Sequence, residues 1–202
     1  MTNGKLYTIS NTHQHEVRIK RSVFIGTIAP AHTKEEAEAF IQQIRRTFHD
    51  ATHNCYAYRI DPSTFRYSDD GEPSGTAGRP ILTILEKFQL VRAVLVVTRY
   101  FGGIKLGTGG LSRAYARCAE ETVRGASVQP VVFFQQLRFR CDYPFIRQLH
   151  HLLHQFGGHL VEADYREDVE VTVEIPQEQL EAFRGELSAR AGGKIAFQEV
   201  GG

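Results

Sequence analysis

Hydrophobic and polar positions alternate along EVRIKRSVFIGTI, residues 16–28, with Val17, Ile19, Val23 and Ile25 on one side and Glu16, Arg18, Lys20 and Ser22 on the other. A period of two predicts one extended strand with a wet face. The period then lengthens. Ala37, Phe40, Ile41, Ile44 and Phe48 recur at helical spacing behind Thr33 and Glu36, which fit a capping box, so a helix is expected from about Lys34 to Phe48. NCYAYRI, residues 54–60, is rich in strand formers, and AVLVVTRY, residues 93–100, is an unbroken apolar run. Such a run needs burial on both faces, which predicts a central strand. Past a glycine-rich stretch, Leu111, Ala114, Tyr115, Cys118 and Thr122 share one helical face, and Gly125 closes that helix.

The second half repeats the two periods in another order. A strand over about 131–141 points Leu137, Phe139 and Cys141 inward, and a helix opening at Pro144 buries Phe145, Leu149, Leu152 and Phe156 before Gly157 and Gly158 stop it. Strands follow at His159 to Tyr165 and over DVEVTVEI, residues 168–175, which sets Val169, Val171, Val173 and Ile175 against Asp168, Glu170, Thr172 and Glu174. A helix from Pro176 turns Leu180, Phe183 and Leu187 inward, and a last strand carries Ile195 and Phe197. The order βαββαβ is the ferredoxin-like plan. The turn region between Gly125 and Val131 marks a boundary, giving an α+β chain with domains at 1–128 and 129–202.

At 202 residues and 42% hydrophobic content, the chain can bury a substantial core. Its N-terminus lacks the basic start and apolar stretch of a signal peptide, and no window approaches a membrane span, so a cytoplasmic protein with no membrane partner is expected. Cys55, Cys118 and Cys141 are odd in number and widely spaced, which argues against a disulfide framework or a zinc ribbon. The net charge of +1 conceals an asymmetry: residues 1–130 hold 17 Lys and Arg against 12 Asp and Glu, while residues 131–202 hold 7 against 11. The basic first half favours an anionic partner.

Two loops carry the candidate chemistry. Gly107, Gly109 and Gly110 lie directly before the helix expected from Leu111, with Lys105 and Arg113 flanking and Arg99 at the strand end. Unpaired amides and the helix dipole at such a junction favour a phosphate. The stretch matches neither the Walker pattern nor G-x-G-x-x-G, and a tight strand-to-helix connection needs glycines too. The second loop, SDDGEPSGTAGRP, residues 68–80, holds Asp69, Asp70 and Glu72 at a spacing that fails the calcium-loop pattern, so turn chemistry explains it better than a metal. If the loops meet, Arg79, Arg99, Lys105 and Arg113 converge with the three carboxylates at the edge. His53 and Cys55 share a strand face without an evident third partner, and His150 and His154 lack the glutamate of a zinc peptidase. DVEVTVEI displays acids where an RNA-recognition motif would display aromatics, which argues against base stacking on that sheet.

SDDGEPSGTAGRP and RYFGGIKLGTGGL, with the earlier KRSVFIG and the trailing ferredoxin-like order, resemble the IMPACT family in its bacterial two-domain form. That resemblance implies a first domain similar to the second domain of ribosomal protein S5 and a second similar to the C-terminal part of elongation factor G. It also implies a translation-linked protein that touches RNA or the ribosome. Eukaryotic members regulate translation through an additional N-terminal RWD domain that this sequence does not contain. The leading expectation is therefore a non-enzymatic protein that binds RNA or the ribosome, with Arg79, Arg99, Lys105 and Arg113 on phosphates, the amides of Gly107 to Gly110 as a fixed anion site, and no cofactor. The alternatives are a nucleotide- or phosphometabolite-binding enzyme using the same loops, with Asp69, Asp70 or Glu72 as base or magnesium ligand, and an adaptor for a protein partner.

Overall fold

The computed structural model describes residues 5–165, 168–191, 195 and 197–200. The chain is α+β and divides into two compact units after Val131. Strand β7 (Val128–Pro130) pairs antiparallel with β1 (Tyr7–Ile9), which holds residues 129–131 in the first unit rather than the second.

The first unit is built on a five-stranded antiparallel sheet. Its members are β2 (His13–Ile19), β3 (Ser22–Pro30), β4 (His53–Arg59), β5 (Phe65–Ser68) and β6 (Ala93–Tyr100), in the order β2-β3-β6-β4-β5. The unbroken apolar run is thus the middle strand, and its parity explains the composition. Ala93, Leu95 and Val97 face a core shared with α2 (Gly78–Lys87) and α3 (Thr108–Gly125), while Val94 and Val96 face a second core under α1 (Lys34–Thr47). A strand covered on both sides has no polar face to offer. Helix α1 starts as its capping box predicts, Thr33 Oγ1 accepting from the Glu36 amide at 3.1 Å, although the Glu36 carboxylate reaches back to the amide of His32.

Two expectations need correction here. Residues 16–28 are not one strand: Lys20 and Arg21, at φ 43° and 68°, turn the chain between Ile19 and Ser22. A two-residue turn flips the parity, so Val17 pairs with Phe24, and Phe24 and Ile28 enter the core instead of Val23 and Ile25. In addition, α2 occupies part of a region where the pattern predicts no element.

The second unit contains β8 (Phe134–Cys141), α4 (Phe145–Phe156), β9 (His159–Tyr165), β10 (Val169–Pro176), α5 (Leu180–Arg190) and β11 (Gln198–Val200). The strands are antiparallel in the order β11-β8-β10-β9. Leu137, Phe139, Val169, Val171, Val173 and Ile175 pack with Leu149, Leu152, Phe183 and Leu187 in one core, so both helices cover one face. The other face carries polar and charged pairs, with Arg138 3.2 Å and Arg140 3.5 Å from Glu170 and His159 2.8 Å from Glu174. Ile195 and Phe197 pack on the core ahead of the last strand instead of lying within it.

All three cysteines are buried, and burial pushes their thiols up, Cys118 to about 12, Cys141 to about 11 and Cys55 higher still. Since the thiolate is the reactive species, a disulfide-exchange reagent at pH 8 is expected to leave the native protein untouched and to titrate three thiols after denaturation. Fast modification of the native protein would contradict this packing.

Candidate functional site

The glycine loop leaves the end of β6 and is fixed at once. A Cβ on Gly102 would lie 2.1 Å from the carbonyl carbon and oxygen of Arg21, so only glycine lets the loop rest on the β2–β3 turn. The Gly102 amide also donates to Ser22 Oγ at 3.2 Å. Gly107, at φ 71°, then caps α3 without any side-chain bond. The helix begins three residues earlier than its apolar stripe indicates, because the Leu111 amide already donates to the Gly107 carbonyl at 2.9 Å. Gly109 and Gly110 therefore belong to the first turn. Helix geometry leaves the amides of Thr108, Gly109 and Gly110 without intrahelical acceptors, and among the described residues no other protein group takes them.

Three of the four predicted cations are exposed and the fourth, Arg99, is buried. Lys105 and Arg113 are exposed beside this turn, with Arg113 Nη1 3.5 Å from where a Gly109 Cβ would stand. Arg79 lies on α2, 3.6 Å from Glu86. Arg99 continues the inward row of β6: its side chain is 6% exposed and its Nη1 meets Glu72 Oε1 at 2.6 Å. A guanidinium already neutralised inside the fold is not a phosphate contact, which corrects the expectation for Arg99.

The acidic edge is likewise turned inward. Asp69 accepts from the amides of Gly75, Ala77 and Gly78 at 2.8–2.9 Å and so caps α2, while Asp70 takes the Asn54 amide at 2.7 Å together with the Arg45 guanidinium. Glu72 is shared by Arg99 and the hydroxyl of Tyr115, which donates at 2.8 Å. His53 completes the cluster, its Nδ1 2.8 Å from the Asp70 carbonyl and its Nε2 3.9 Å from Glu72. Burial raises the Tyr115 phenol far above its ordinary range, leaving it a fixed donor. Among the described residues no group of His, Cys, Asp and Glu is arranged to hold a metal.

Pattern reading overlooks three residues. The turn residues Lys20 and Arg21 are exposed, the Arg21 main chain lies against Gly102, and neither they nor Lys105 and Arg113 have a carboxylate partner among the described residues. Two-residue hairpins favour Asn-Gly, and placing two long cations at positive φ costs about 1–3 kcal/mol each. Phe101 is the third. It is 46% exposed, with the Arg99 guanidinium 5.3 Å from its ring centroid and Phe24 5.5 Å away on the same guanidinium. The signal for the cations was the KRSVFIG segment, whose Lys-Arg pair interrupts an otherwise regular strand pattern.

These loops fall within the part of the chain that known proteins share. Residues 20–123 match the Impact N-terminal domain, and residues 139–194 match a domain of unknown function, DUF1949. The chain belongs to the IMPACT family. It is 36% identical over 195 residues to the IMPACT family member YvyE of Bacillus subtilis, covering 96% of this chain and 90% of that protein. It is 44% identical over 158 residues to an IMPACT family member of Thermus thermophilus, covering 78% and 86%. A crystal structure of a hypothetical protein superposes with a TM-score of 0.71 at 30% identity, covering 98% of both chains. Protein IMPACT of Mus musculus shares 34% identity over 102 residues, 47% of this chain and 31% of its own length. Bacterial members thus span both units, whereas the mouse protein matches about half of this chain.

Proposed function

We propose that this IMPACT family member is a non-enzymatic, translation-linked cytoplasmic protein that binds RNA, free or within the ribosome, through the face formed by Lys20, Arg21, Lys105, Arg113 and the first turn of α3. The observation that carries the reading is the Lys20-Arg21 turn. Two long cations, without a carboxylate partner among the described residues, are held in a costly conformation, and Gly102 seats their turn against the loop that leads into a helix whose first amides have no protein acceptor among the described residues. Side-chain cations and main-chain donors on one face suit phosphates spaced along a backbone. The first unit, on this reading, shares the plan of the second domain of ribosomal protein S5. The strand order β11-β8-β10-β9 supports a ferredoxin-like plan, as in the C-terminal part of elongation factor G, for the second.

An enzyme working on a phosphorylated metabolite has less support. Asp69, Asp70 and Glu72, the groups it would use as base or magnesium ligand, already serve amides, Arg45, Arg99 and Tyr115.

The test is cosedimentation with ribosomes and with ribosomal RNA at increasing potassium chloride. Four phosphate contacts give a log–log salt slope of about −3, a loss of roughly sixtyfold between about 50 and 200 mM salt. Arg21→Ala or Lys105→Ala is expected to flatten the slope by about 1. Absence of binding at low salt overturns the proposal.

A further inference from the structure

We infer, building on the RNA-binding reading above, that the site takes unpaired nucleotides and that Phe101 is the platform on which one base stacks. A phenyl ring that is 46% exposed, in the loop that carries Lys105, leaves nearly half of its surface to water. Its position is nevertheless fixed from below and from the side. The Arg99 guanidinium supports it 5.3 Å from the ring centroid and is itself held by Glu72 at 2.6 Å and backed by Phe24 at 5.5 Å. The Phe101 amide donates to Thr52 Oγ1 at 3.0 Å, and the next residue is locked against Arg21. Phe24, Arg99 and His53 are cross-strand neighbours in register, so the support is built into the sheet.

A ring fixed this way loses little freedom when a ligand covers its free face, which is the condition for efficient stacking. Phe101 directly precedes Gly102, which rests on the main chain of the Lys20-Arg21 turn, and the same loop carries the exposed Lys105, with Ile104, 39% exposed, adding apolar surface. Aromatic platforms flanked by cations are the means by which proteins hold single strands, whose bases have faces to offer. A duplex keeps its bases stacked on one another and presents phosphates and groove edges alone. The buried Arg99, unsuited to a phosphate contact, thereby acquires a role: it positions the ring that meets the base.

Fluorescence anisotropy with oligoadenylate, an RNA duplex of equal length and an abasic strand of equal length and charge tests this. The intact protein is expected to bind oligoadenylate about tenfold more tightly than either comparison strand. Phe101→Leu, which keeps apolar cover over Arg99, is expected to erase that preference, and Phe101→Tyr to preserve it. Equal affinity for oligoadenylate and the abasic strand overturns the stacking inference while leaving the phosphate-binding reading intact, provided both bind with a steep salt slope. Binding to none of the three at low salt removes both. Should Phe101→Leu fail to fold, the abasic comparison on the unaltered protein still decides.

Discussion

Glu72→Ala is expected to destabilise the first unit by about 3–5 kcal/mol, the penalty for removing one partner from a buried ion pair. The Arg99 and Glu72 side chains are 6% and 3% exposed, so neither water nor salt screens what remains. The truncation strands the Arg99 charge and also takes the acceptor from Tyr115, whose hydroxyl lies in the same buried cluster. Against a domain stability of roughly 5–15 kcal/mol, this is a large fraction. Urea denaturation followed by circular dichroism measures it, with the transition of the second unit as an internal reference because two units need not unfold together. Arg79→Ala, which breaks an exposed pair with Glu86, is expected to cost at most about 1 kcal/mol. A Glu72→Ala loss no greater than that of Arg79→Ala would mean the pair is not desolvated as described. A double replacement, Glu72→Leu with Arg99→Met, is expected to recover much of the loss, because it removes both charges at once.

The ion pair also marks where sequence reasoning reaches its limit. Elements with long, clean periods were legible: β6 as the centre of its sheet, α1 from its cap and stripe, and the inward rows of β8 and β10. Arg99 shares the parity of Ala93, Leu95 and Val97, so the inward direction was present in the pattern. A charged residue ending an apolar strand nevertheless reads as exposed unless its partner is known, and Glu72 lies 27 residues away in a loop. The hairpin at Lys20-Arg21 was concealed because it lacks the Asn-Gly signature and because Val17, Ile19, Val23 and Ile25 keep a false period of two across the turn. Asp69 and Asp70 read as turn residues at the edge of a site and prove to be a helix cap and a strap, since hydrogen-bond partners six to 25 residues away cannot be read from spacing. The glycine loop was legible as the lead into α3, whereas its seat on the Lys20-Arg21 turn is a tertiary contact that spacing does not reveal.

Gly102→Ala is expected to cost about 3 kcal/mol and to abolish the proposed RNA binding without removing a charge. The added Cβ would fall 2.1 Å from the Arg21 carbonyl and 2.5 Å from the Ser22 amide nitrogen, all main-chain atoms in a paired turn, so no rotamer change relieves the clash. Overpacking of this kind costs about 1–3 kcal/mol or more when the backbone itself must yield. On the proposed reading, the turn and the loop move apart to relieve the clash, which separates Lys20 and Arg21 from the α3 amides. Gly109→Ala supplies the opposite signature. Its Cβ would meet nothing closer than the Arg113 guanidinium at 3.5 Å, and alanine favours a helix over glycine by about 0.5–1 kcal/mol. Stability is therefore expected to hold or rise while affinity falls, since a methyl group now stands where the proposed phosphate would approach the first-turn amides. Thermal denaturation and the salt-dependent binding assay, run on both variants, separate the two roles. A stable Gly102→Ala protein with full affinity would show that the turn and the loop do not act as one surface, and an unaltered affinity in Gly109→Ala would remove the helix start from the site.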